Sequence, residues 1–101
     1  MDFLVRTDFA RPASMGDHEF NHLKARETAT ADLLQRSGTI RQLWREVGTT
    51  VAWGIWEAQD EESVRASIHS VPLAPWMSID IHRILDHPNA LIREQPLRSP
   101  N

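Results

Sequence analysis

A lysine and a glutamate one helical turn apart, in the segment HLKARET, are the residues of this sequence best suited to move a proton. Glu27 falls on a stripe of otherwise apolar positions. Because apolar surroundings disfavour a charged carboxylate, we expect the pKa of Glu27 to rise toward the range in which it takes and returns a proton near neutral pH. Lys24 would oppose that shift and could also hold an anionic substrate.

The same pair also has a simpler interpretation. A lysine and a glutamate three residues apart on a helix commonly form a solvated ion pair that stabilises by ~0.2 to 0.5 kcal/mol. The feature that favours catalysis is the stripe itself, because its other members are apolar: Phe20, Leu23, Ala31 and Leu34.

The hydrophobic period changes along the chain, and each change predicts an element that positions the pair. Residues 2–8 alternate as a half-buried strand does, whereas residues 17–36 repeat with helical spacing and are followed by Gly38, a residue typical of helix ends. Two runs rich in aromatic and β-branched residues, 39–47 and 51–58, flank the segment GTT and predict a hairpin.

The remaining elements complete a recognisable order. Asp60 opens a second helix, Pro72 stops it, and a last strand runs from about Trp76 to Leu85. The resulting βαββαβ order predicts an α+β, ferredoxin-like fold, with a four-stranded antiparallel sheet and two helices on one face. We expect one domain over residues 1–101, with a polar tail from about residue 93 that frays or lies along a neighbouring subunit.

The last strand predicts an unusual open sheet face. Its side chains are expected to alternate, with one set toward the helices, Met77, Ile79 and Ile81, and the other toward the open face, Trp76, Ser78, Asp80 and His82. A tryptophan beside an aspartate and a histidine is unusual on a plain solvent-facing surface, so we expect a second subunit or a ligand to cover it. Trp76 and His82 are therefore predicted substrate-binding residues. Trp53 and Trp56 should lie on opposite faces of their strand, one in the core and the other at a subunit contact.

Composition excludes several classes of partner. A formal net charge of -3 without a Lys/Arg cluster argues against nucleic acid and anionic membranes. The absence of cysteine excludes thiolate chemistry and suits a cytoplasmic protein, and no stretch approaches the roughly 18 apolar residues of a membrane helix. His18 and His22 have metal-ligand spacing but no third ligand in sequence, so we expect no metal site.

Four segments, LKARE, LQRSGTIRQLWR, VPLAPWMSIDI and DHPNALI, resemble in order and spacing those of the muconolactone delta-isomerase family. The family segments read much like L-K-A-x-E, L-Q-R-x-G-x-W-R-x-L-W-R, L-P-L-F-P-Y-M and H-P. The resemblance extends from about Leu4 to about Ile92. It implies a ferredoxin-like subunit, a ring-like homo-oligomer described for the family as a decamer, and a cofactor-free isomerisation of an unsaturated lactone that bears a carboxylate, in the catabolism of catechol.

The resemblance and the helix pattern suggest the same catalytic residues. An allylic proton shift needs one base that also acts as an acid, a polarised carbonyl and a clamp for the carboxylate. Glu27 is the predicted base, and Lys24 would polarise the lactone carbonyl or bind the carboxylate. Arg41 could supply a two-pronged clamp, and Trp44 would form a wall of the pocket.

Departures from the family pattern leave the substrate open. Ile40 replaces an aromatic residue, Ala52 an asparagine, Ala74 a phenylalanine and Trp76 a tyrosine. A substituted, chlorinated or different lactone is therefore compatible with the sequence. Two alternative functions also fit it: a cofactor-free or haem-using monooxygenase of the dimeric α+β barrel type, and a non-catalytic module that binds a small ligand.

Overall fold

The computed structural model describes residues 1–91 and confirms the predicted βαββαβ order. The elements are β1 (Asp2–Phe9), α1 (Asp17–Arg36), β2 (Ile40–Arg45), β3 (Val51–Glu57), α2 (Glu61–His69), a short 3-10 helix (Ala74–Trp76) and β4 (Met77–Ile84). The strands pair antiparallel in one sheet of order β2-β3-β1-β4. The predicted tail from about residue 93 lies outside the described residues.

The hydrophobic core lies between α2 and one face of the sheet. Phe3 and Val5 alternate on β1 and are both buried, while Val64 and Ile68, four residues apart on α2, are buried against them. The Asp60 side chain starts α2 by accepting a hydrogen bond of 2.7 Å from the backbone N–H of Ser63. Burial of these apolar groups fixes α2 on the sheet.

Helix α1 is packed differently, because none of its residues is fully buried. The predicted stripe does face inward, since its members are partly buried, but they leave space above the sheet: Phe20, Leu23, Glu27, Ala31 and Leu34. The predicted helix end is also confirmed, with Gly38 just beyond α1 at a φ of 82°, where a residue without a Cβ is favoured. A space between α1 and the sheet is therefore built into this packing.

The corner before β4 corrects one expectation. Trp76 was expected to begin the last strand, but it ends the 3-10 helix, and its backbone N–H donates to the Leu73 carbonyl at 3.0 Å. Pro75 fits the first turn of that helix, since its ring favours helical φ and an N–H is not needed there. The predicted alternation beyond the corner is confirmed: Met77, Ile79 and Ile81 pack against the core, and Ser78, Asp80 and His82 are exposed.

A β-bulge in β2 decides which of its side chains face α1. Ile40 pairs with Trp56, but Gln42 pairs with Ile55, so Arg41 is an extra residue in the strand. Strict alternation from buried Ile40 would have placed Gln42 and Trp44 on the helix side. The bulge reverses this alternation and brings Leu43 and Arg45 to that side instead.

Candidate active site

A cavity of about 630 Å³ lies between α1 and the sheet. Its size falls in the range of small-molecule sites, and much of its wall is apolar. The wall is built from several elements and includes Lys24 and Glu27 on α1, Arg45 on β2, Ala52 and Trp56 on β3, and Leu73 at the corner. The cavity therefore combines an apolar enclosure with a few charged groups, as binding sites do.

Glu27 is held in this cavity by the corner that precedes β4. Its Oε1 accepts a hydrogen bond of 2.9 Å from the backbone N–H of Leu73, while Oε2 accepts none within residues 1–91. Burial raises the pKa of the Glu27 carboxyl, and the hydrogen bond from Leu73 lowers it by a smaller amount. Within residues 1–91 one carboxylate oxygen is therefore fixed and the other is available, so Glu27 can act as a general base toward a bound substrate.

Lys24 lies on the same cavity wall, one turn before Glu27. Its Nζ is 5.2 Å from the centre of the Phe20 ring, within the range of a cation–π contact, and the Phe20 ring also stacks on Phe9 at 5.7 Å between centres. Within the described residues no salt bridge joins Lys24 to Glu27. The simple ion-pair interpretation therefore does not describe this pair.

Arg45 is a cavity residue that the sequence analysis missed. It lies on the helix side of β2, opposite Ala52, and forms no salt bridge within residues 1–91. Asp32 also lines the cavity, but its carboxylate is paired with Arg36 at 2.8 Å. The signal that would have found Arg45 is the bulge, which is set by pairing with β3 and is not visible in the local hydrophobic pattern of β2.

Four predicted substrate-binding residues do not line this cavity. Arg41 donates from Nη1 to Oδ2 of the buried Asp2 at 3.0 Å. Trp44 is 48% exposed and pairs with Trp53 across β2 and β3, on the opposite side of the strand from Leu43 and Arg45. The other two, Trp76 and His82, lie in the corner and on the open sheet face. The fold thus brings Glu27 and Lys24 together without these four, whose roles stay predictions.

Residues 1–91 contain neither a candidate metal site nor a membrane-spanning helix. No group of three or more His, Cys, Asp or Glu side chains could hold a metal ion. No helix in this part of the chain is long and apolar enough to cross a membrane.

Comparison with known proteins concerns the chain as a whole. A sequence profile described as muconolactone delta-isomerase matches residues 1–90. The chain belongs to the muconolactone delta-isomerase family. Family members from Acinetobacter baylyi and Cupriavidus pinatubonensis, each named Muconolactone Delta-isomerase, are both 32% identical to it over 91 residues, which cover 90% of this chain and 95% and 99% of theirs.

A solved structure agrees with the sequence comparison. The crystal structure of a muconolactone isomerase at 3.3 Å resolution is similar, with a TM-score of 0.84 and 30% identity, and the match covers 93% of this chain and 98% of that one. The resemblance inferred from the four sequence segments is therefore confirmed. Membership of the muconolactone delta-isomerase family makes the chain an isomerase, and it favours that class over the monooxygenase and binding-module alternatives.

Proposed function

We propose that this protein isomerises muconolactone or a substituted relative, an unsaturated lactone that carries a carboxylate, in aromatic catabolism. The observation that carries the proposal is the Glu27 carboxylate, which lies in a cavity of small-molecule size with one oxygen fixed and the other available. The reaction moves only a proton and a double bond, so the proposed chemistry requires no cofactor.

The proton shift follows from the position of Glu27. Its Oε2 removes the hydrogen from the ring carbon that bears the carboxylate arm, and the electrons of that C–H bond move through the C=C bond onto the lactone carbonyl. The protonated carboxyl then returns a proton to the carbon next to the carbonyl. The double bond has then moved by one position, and Glu27 is regenerated as a carboxylate.

The two cations of the cavity fit the two negative charges of this reaction. The guanidinium of Arg45 can grip the substrate carboxylate with two hydrogen bonds, which is the role that the sequence analysis assigned to Arg41. Lys24, one turn from Glu27, can stabilise the charge that develops on the lactone carbonyl oxygen. Neither cation is neutralised by a salt bridge within residues 1–91, so both are available for substrate.

The substrate class is tested by an assay with a panel of lactones. Ile40 and Ala52, two departures from the family pattern, line the cavity, so the favoured substrate can differ from muconolactone in its ring substituents. We expect the wild-type protein to turn over muconolactone or a substituted relative, followed by loss of the conjugated double bond in the ultraviolet and by NMR of the product. Turnover of none of them would contradict the proposal.

The pH dependence of this activity should report the environment of Glu27. Because burial raises the pKa of its carboxyl, the acid limb of the kcat/KM profile should lie above the pKa of an exposed glutamate, with the rate falling as pH decreases through that value. The stability of the fold should change with pH in the opposite direction to kcat/KM. A folded-state pKa above the unfolded one stabilises the fold at acid pH, and this contribution is lost as pH rises through the folded pKa. An acid limb at or below the pKa of an exposed glutamate would argue against Glu27 as the base.

We also propose that the chain forms a homo-oligomer, as the family resemblance implies, with a decamer as the expected size. The partly exposed Trp44 and its cross-strand neighbour Trp53 support a subunit contact, because aromatic residues are enriched at interfaces. Light scattering at micromolar concentration should give a mass far above the 11.6 kDa of one chain, and a monomer would contradict the assembly. We further propose a cytoplasmic location, which fits the absence of cysteine.

A further inference from the structure

The floor of the cavity contains a tryptophan whose indole nitrogen forms no hydrogen bond within residues 1–91. Trp56 is 5% exposed and lines the cavity from β3, opposite the helix that carries Glu27. Its Nε1 lies only 2.9 Å from the position that a Cβ on residue 54 would occupy. Because Gly54 has no side chain, the indole can lie across this part of the strand.

The indole N–H of Trp56 has no acceptor within residues 1–91. Trp56 Nε1 is not fully sealed from solvent, and the residue lines the cavity. Trp53, by comparison, donates its Nε1–H to Glu46 Oε1 at 3.0 Å. Since a buried indole N–H usually has a partner, the donor of Trp56 is available to an acceptor that binds in the cavity.

We propose that the Trp56 N–H binds the lactone carbonyl oxygen and stabilises the negative charge that develops there. This assignment rests on the proposed isomerisation and adds a donor on the floor to Lys24 on α1. Ala52 and Gly54, the preceding residues on the same face of β3, have no polar side-chain atoms, so they cannot supply this hydrogen bond. A fixed donor aimed at developing charge is effective because it needs no reorganisation during the reaction.

The first test removes the donor and keeps an aromatic ring. Trp56→Phe should lower kcat/KM for the best lactone by roughly 10²- to 10³-fold, with most of the loss in kcat, because the hydrogen bond strengthens as charge develops. Unfolding by urea checks that the variant is folded. Wild-type kcat/KM in the folded variant would overturn the proposal.

The second test uses the wild-type protein and two unreactive ligands, so it depends neither on turnover nor on the folding of a variant. One ligand is the saturated lactone with the same carboxylate arm, and the other is the matching cyclic ether, which lacks the carbonyl. The lactone should shift the Trp56 indole N–H resonance downfield in a ¹H–¹⁵N spectrum, whereas the ether should not. Equal shifts with both ligands, or none with the lactone, would overturn the assignment even if Glu27 proves to be the base.

Discussion

Replacement of Glu27 by glutamine is expected to lower turnover of the best lactone by about 10² to 10⁴-fold, the usual contribution of general acid and base catalysis. The amide oxygen can still accept the hydrogen bond from Leu73, so the corner before β4 should keep its structure. The amide cannot take a proton from the substrate, however. Measurement of kcat, together with urea unfolding, separates the chemical loss from any change in stability.

A second carboxylate on the same helix provides the control. Glu19 is in the first turn of α1, exposed, and not part of the cavity wall, so Glu19→Gln should leave kcat unchanged. If Glu27→Gln keeps the wild-type kcat, the base lies elsewhere. Asp80 and His82 on the open sheet face would then be the next candidates.

Replacement of Arg41 by methionine is expected to destabilise the fold by about 3 kcal/mol, since it removes the guanidinium from a buried carboxylate. Arg41 Nη1 lies 3.0 Å from Asp2 Oδ2, and the Asp2 side chain is 0% exposed. We expect KM for the lactone to stay near the wild-type value, because Arg41 does not line the cavity. Urea unfolding and steady-state kinetics measure the two effects separately.

The Asp2→Asn background is the matched control for this variant. In this background the Asp2 carboxylate is replaced by a neutral amide, so Arg41→Met should lower the free energy of unfolding much less than it does in the wild type. The difference between the two losses gives the coupling free energy of the pair. The opposite outcome would be unchanged stability and a large increase in KM for carboxylate-bearing lactones. That result would restore Arg41 as the substrate clamp that its sequence position suggested.

Most of the fold could be predicted from local sequence patterns, because the residues at the ends of its helices and strands are typical of such ends. Helix α1 was predicted with its observed bounds, Asp17–Arg36, since Gly16 precedes it and a glycine at positive φ follows it. The 3-10 turn that contains Trp76 was not predicted, because two prolines are compatible both with an extended corner and with a short helix. Hydrogen bonds within the corner therefore decide its conformation, and the preference of the prolines for extended backbone does not.

Only part of the candidate site could be predicted from the sequence, because contacts between residues distant in sequence determine where much of the site lies. Glu27 was found through the helical period of its apolar neighbours, but its hydrogen-bond partner Leu73 is 46 residues away in sequence. Arg45 was missed because the bulge after Ile40 reverses the faces of β2. The lack of an acceptor for the Trp56 N–H within the described part of the chain could not be predicted either, since it depends on which groups the folded chain brings near the indole.

A crystal structure of Glu27→Gln with bound muconolactone, or with the lactone that the wild type turns over best, tests the central claim most directly. The lactone should lie between α1 and the sheet. The ring carbon that loses its proton in the reaction should be about 3 to 3.5 Å from the glutamine that replaces Glu27, as a reactive geometry requires. Its carboxylate should contact Arg45, and its carbonyl oxygen should face Trp56. A lactone bound on the open sheet face beside Trp44 and His82, with the cavity empty, would contradict the assignment.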